Sequence, residues 1–108
     1  MMTTIEKGKA FTPNEVIEYA DGGIVSKEII HSQAGSVTLF SFDTGQQLSE
    51  HSAPFDAMIS IIDGEPEIFI DGVPHYPKKG EVLIMPANHP HAVNAKTRFK
   101  MILTMIRG

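Results

Sequence analysis

The chain contains no cysteine, which excludes a disulfide framework, a thiolate metal site and a cysteine nucleophile together. Cations are scarce as well: nine Lys and Arg stand against thirteen Asp and Glu, for a formal net charge of −4. They are also scattered, the tightest group being Lys78-Lys79. The clustered positive charge that neutralises phosphates is missing, so no nucleic-acid partner is expected. Long hydrophobic runs are absent too. The longest, Met101 to Ile106, is broken by Thr104 and is far too short to cross a bilayer. The opening MMTTIEKGKAF lacks the apolar segment of a signal peptide. A soluble cytoplasmic protein with no membrane partner is therefore expected. No Ser-His-Asp order, nucleophile elbow or phosphate-cradling glycine loop occurs.

What the sequence does have is alternation. With 42% hydrophobic residues in 108, it can bury one core and make one domain, residues 1–108. Runs rich in Ile, Val, Phe and Thr extend over 24–30, 36–43, 48–51, 57–62, 67–70, 82–85, 92–95 and 98–106. Gly, Pro, Asn and Asp separate them, as turns separate strands. Asp63-Gly64 and Asp71-Gly72 carry hairpin signals. Thr12-Pro13-Asn14-Glu15 has the form of a capping box with Pro at the first helical position, predicting a short helical turn through about Tyr19. Many short, evenly spaced strands in one small chain predict an all-β sandwich or small barrel. In the last strand Phe99, Met101, Leu103 and Met105 form a wholly apolar face, while Lys100, Ile102, Thr104 and Ile106 form a half-apolar one. The second face predicts a subunit interface, with cover by the N-terminal segment 1–22 as the alternative.

Two segments together resemble the cupin family. Its first motif, G-x5-H-x-H-x3-E-x6-G, aligns with Gly45, His51, Ala53, Ala57 and Gly64. Its second, G-x5-P-x-G-x2-H-x3-N, aligns with Gly80, Pro86, Asn88 and His91, and Asn94 falls one place short of the final Asn. The resemblance implies an antiparallel jelly-roll β-barrel with a pocket near one end. In cupins the two motif-1 histidines, the glutamate and the motif-2 histidine usually hold Mn, Fe, Ni or Zn. Here those places are His51, Ala53, Ala57 and His91, so two of four ligands remain.

Three residues are candidates for a third metal ligand. Regular strand alternation would put Gln47 and Ser49 on the same face as His51, and a bulge at Pro54 would turn Asp56 inward. His89, two before His91, could supply another nitrogen, although a turn of this kind usually sits at the rim. His31 and His75 read as structural, and Glu50, Asp63, Glu65 and Glu67 as solvated. Phe40, Phe42, Ala53, Ala57, Met85 and Met101 are the expected pocket lining, with Phe55 and Met58 as further apolar candidates. The functional expectation is a cupin that binds a small molecule, with a reduced two-histidine site that holds a divalent transition metal or none, and that forms a homodimer. The alternatives are a metal-dependent dioxygenase, isomerase or decarboxylase-like enzyme, and a sensor or partner-binding domain.

Overall fold

The computed structural model describes residues 5–107. Its first regular element is a 3₁₀ turn, Pro13–Glu15. Thr12 makes no side-chain cap there, and Val16 leaves the turn at once, so the predicted helix to Tyr19 does not form. Nine strands follow: β1 Ile24–Ser32, β2 Gly35–Phe42, β3 Gln47–His51, β4 Ala57–Gly64, β5 Glu67–Ile70, β6 Val73–His75, β7 Val82–Met85, β8 His91–Asn94 and β9 Phe99–Ile106. Every pairing is antiparallel. One sheet has the order β1-β2-β9-β4-β7 and the other β3-β8-β5-β6. Two facing antiparallel sheets with most sequence neighbours on opposite sheets make the jelly-roll arrangement.

The turns explain how the chain moves between sheets. Asp71-Gly72 closes the β5–β6 hairpin, with φ of 52° and 77°, as a two-residue primed turn requires. Asp63-Gly64 does something else. Gly64 ends β4 still paired with Phe99, and the chain then crosses to the second sheet, so this is a corner and not the predicted hairpin. Only glycine fits the corner: φ is 71°, and a Cβ would lie 2.0 Å from the Arg98 carbonyl oxygen.

The inward faces interdigitate to form the core. At one end Phe42 stacks on Phe99, with centroids 4.5 Å apart and planes 11° from parallel, and both are fully buried. Ile61, Ile68 and Ala95 belong to the same cluster. Toward the other end the inward residues become smaller or more flexible: Ala57, Met85, Met101, Leu103 and Met105.

The outward face of the five-stranded sheet is partly covered by the N-terminal segment. Val16 and Ile17 pack with Leu39, Ile62 and Ile102. Buried Lys100 donates from Nζ to the Asn14 carbonyl oxygen at 3.0 Å and to Asn14 Oδ1 at 2.8 Å, and it lies 4.8 Å from the Tyr19 ring centroid. These partners compensate a cation withdrawn from water. Tyr19 itself donates to Asp63 Oδ2 at 2.5 Å. The segment thus covers Lys100 and Ile102, while Ile106 stays exposed.

Candidate functional site

Strand β3 carries a bulge that decides what faces the barrel interior. Leu48 pairs with Val93 and His51 with His91, so two residues, Ser49 and Glu50, stand opposite the single Ala92. A bulge of this kind shifts side-chain parity by one. Leu48 and His51, three apart, therefore both line the interior. Regular alternation predicted Gln47 on the His51 face; the bulge reverses this, and Gln47 is exposed. The second motif has its own backbone reason. Asn88, in the place of a motif glycine, has φ of 65°, and Asn is among the few non-glycine residues that adopt this conformation readily.

A cavity of about 130 Å³ opens at this end, lined by Leu48, His51, Ala53, Ala57, Ile59, Met85, His91, Val93, Met101, Leu103 and Met105. Among the described residues the two histidines are its only polar side chains. His91 is 7% exposed, whereas His51 sits at the mouth and is exposed. Their Nε2 atoms are 3.1 Å apart. His51 Nδ1 lies 2.8 Å from the Ser49 carbonyl oxygen. A carbonyl only accepts, so that nitrogen carries the proton and His51 Nε2 presents its lone pair. His91 Nδ1 faces the His89 carbonyl at a long 3.4 Å.

This geometry has two chemical solutions. In the first, His91 gives up the long contact and donates Nε2–H to His51. In the second, both rings keep Nδ1–H and two lone pairs converge on a cation, whether a proton or a metal. Burial, then the neighbouring His51, holds the His91 pKa below its ordinary value, with the His89 carbonyl acting in the opposite direction. The neutral form of His91 is thus favoured. Two nitrogens ~2.1 Å from a shared ion and this far apart would subtend roughly 95–100°, within the range of metal sites.

The family's hard-metal set nevertheless does not fit. Ala53 and Ala57 line the cavity and offer no donor. Among the described residues no three of His, Cys, Asp and Glu gather as a metal site. Asp56 is exposed and accepts the Ala87 N–H at 2.8 Å. His89 is exposed, with Nδ1 2.8 Å from Asp71 Oδ2. Neither faces the cavity, and neither does Gln47.

Four more expectations need correction. Phe42 fills the closed end against Phe99, and Phe40 packs beside it at a centroid distance of 6.1 Å, so neither lines the cavity. Phe55 lies under the Arg107 guanidinium, and Met58 faces outward in the register of Thr104 and Ile84. Glu67 is buried, 5% exposed, receiving hydrogen bonds from Tyr76 at 2.9 Å and Asn94 at 3.0 Å, with Lys96 3.1 Å away. Asp63 is held by Tyr19. The expected lining left out Leu48, Ile59, Val93, Leu103 and Met105; the inward parity of β4, β8 and β9 was the available signal for all but Leu48, which the β3 bulge obscures.

Comparison with known proteins agrees with this architecture. A conserved protein of unknown function from Streptococcus pyogenes superposes with a TM-score of 0.91 at 32% identity, over 99% of this chain and 94% of that one. A cupin 2 conserved barrel domain protein from Leptotrichia buccalis is 43% identical, TM-score 0.84, over 87% of this chain but 46% of its own length. A cupin superfamily protein from Desulfitobacterium hafniense gives 0.90 at 26% identity, over 100% and 99%. Among curated proteins none matches. The cupin domain model matches residues 38–107, which span both motifs, both histidines and the strands that carry them, and the chain belongs to the cupin family.

Proposed function

We propose that the chain is a ligand-binding cupin that takes one small, mostly apolar molecule into the barrel, its polar end meeting the His51–His91 pair. The observation that carries this reading is the composition of the cavity: an apolar wall with one convergent polar pair, the arrangement by which ligand sites combine affinity with orientation. Its volume, about 130 Å³, bounds the guest. A dry apolar cavity of ~150 Å³ holds benzene, whereas drug-sized ligands need roughly 300–1,000 Å³. The guest is therefore of about benzene size, with one hydrogen-bonding group. With its Nδ1–H held by the Ser49 carbonyl, His51 accepts a hydroxyl proton at Nε2, while a neutral His91 accepts from a hydroxyl or donates to a carbonyl.

The test uses phenol as the probe and Ala57→Leu as the block. Ala57 is buried on the cavity wall, so three added carbons fill the space the guest needs. Phenol should bind the parent chain in a calorimetric titration and raise its Tm, and Ala57→Leu should abolish both effects while remaining folded. Equal phenol binding in the two proteins would reject the reading.

A second copy of the chain belongs to the same proposal. On the outer face of the five-stranded sheet the register aligns Ile30, Val37, Thr104, Met58 and Ile84 in one row across all five strands. Ile30 and Ile84 are more than half exposed, and Ile106 and Val82 extend the patch beyond the N-terminal cover. Single exposed hydrophobic residues are ordinary, but four apolar residues in one row across a sheet, interrupted only by Thr104, mark an interaction surface. A two-fold axis near Thr104 would set the row against itself.

A further inference from the structure

The ligand positions that the family fills with a histidine and a glutamate are Ala53 and Ala57 here, and sulfur flanks the second. Of six methionines in the chain, Met85, Met101 and Met105 line the cavity with the two histidines. The register makes the placement specific. Ala57, in the glutamate position of the first motif, pairs with Met85 on β7 and with Met105 on β9. The five-stranded sheet thus presents an alanine flanked on both sides by thioethers. The four-stranded sheet opposite presents the imidazoles.

Donor chemistry narrows what such a set can hold. All its donors are neutral, so a buried divalent cation would keep its full charge with no carboxylate or thiolate to offset it, a large desolvation penalty. Mn, Fe, Ni and Zn also want three or four N, O or thiolate ligands. Thioethers are soft and polarizable and select Cu(I), a monovalent ion that takes two to four ligands. His51 is already held in the tautomer a ligand needs, its Nδ1–H on the Ser49 carbonyl, the outer-shell contact that orients metal-binding histidines.

We propose that His51 and His91, with the thioethers of Met85 and Met105, form a Cu(I) site at the mouth of the cavity. This rests on the reading that the histidine pair is the anchoring end of the ligand cavity, and it names a ligand class for that end.

The test is an anaerobic titration of the 108-residue chain with Cu(I) in competition with bicinchoninate, beside a Zn(II) titration and a phenol titration. The two metal titrations are repeated on the double variant Met85→Leu, Met105→Leu, and the phenol titration is made on the parent chain. Leucine nearly conserves volume, so the core stays filled, and circular dichroism checks the fold. The expected result is one Cu(I) per chain, bound more tightly than Zn(II), with a sulfur shell in its X-ray absorption spectrum. In the double variant Cu(I) affinity should fall by at least roughly 10–100-fold, the loss seen for lesser, outer-shell changes, while Zn(II) binding, which draws on the two imidazoles, holds. Unchanged Cu(I) affinity in the double variant, a spectrum without sulfur, or Zn(II) bound as tightly as Cu(I) overturns the site. Cu(I) behaving as expected while phenol fails to bind overturns only the small-molecule reading, and phenol binding without Cu(I) overturns only the Cu(I) site.

Discussion

Glu67 shows how far one side chain's role depends on its neighbours. Beside Pro66 and near a turn it reads as a solvated carboxylate, yet it is buried under Asn94, Lys96 and Tyr76. Those three groups, the Asn94 amide foremost, hold its pKa below the ordinary 4.5. The sign of the consequence follows from proton linkage. The unfolded chain takes up the proton first as pH falls, so Glu67's contribution is complete above about pH 4.5 and disappears as pH drops through the lower folded value. Glu67→Gln should therefore lower Tm at pH 7 and flatten the acid decline of Tm below about pH 4.5. Two parallel Tm–pH curves would contradict this. The histidines differ in kind: the motifs named His51 and His91 in the sequence, but only the folded barrel makes the 3.1 Å contact that joins them as a pair.

At the scale of elements, most strands were legible because turn residues bracket β-branched runs. The failures have local causes. Strand β6 is three residues long with Pro74 at its centre, too short and too poor in ladder donors to register as a strand. The β3 bulge at Ser49-Glu50 leaves no mark in composition, yet it decides that Leu48 and not Gln47 faces inward. Asp63-Gly64 carries the same dipeptide as a true hairpin and makes a corner, because the partner of Gly64 is Phe99 across the sheet. Lining residues failed for a related reason: parity says that Phe40 and Phe42 face inward, but not how far along the barrel axis they lie. Packing of the closed end gives a direct prediction. Phe99→Ala removes the fully buried partner of Phe42 and should cost about 3–5 kcal/mol in urea unfolding. Phe40→Ala, at a half-buried position, should cost less. Equal losses would mean that the Phe42–Phe99 stack does not close the barrel as described.

For the molecule as a whole, the jelly roll fixes which surfaces are left for function. Both inward faces are consumed by the core except at the histidine end. The outward face of the five-stranded sheet is split between the N-terminal cover around Val16 and Ile17 and the open row from Ile30 to Ile84. If that row seats a second copy, Ile84→Glu places a charge in the apolar contact, and light scattering should show a dimer become a monomer with little change in the circular dichroism spectrum. An unchanged mass would exclude this face as the contact. No helix among the described residues is long and apolar enough to cross a membrane. The proposed ligand would enter the cavity between the sheets, where the methionines report on it from inside. With methyl-13C methionine, a phenol titration followed by NMR should shift Met85, Met101 and Met105, which line the cavity, and leave Met58 on the outer face unmoved. Shifts confined to Met58, or none at saturating phenol, would contradict the account.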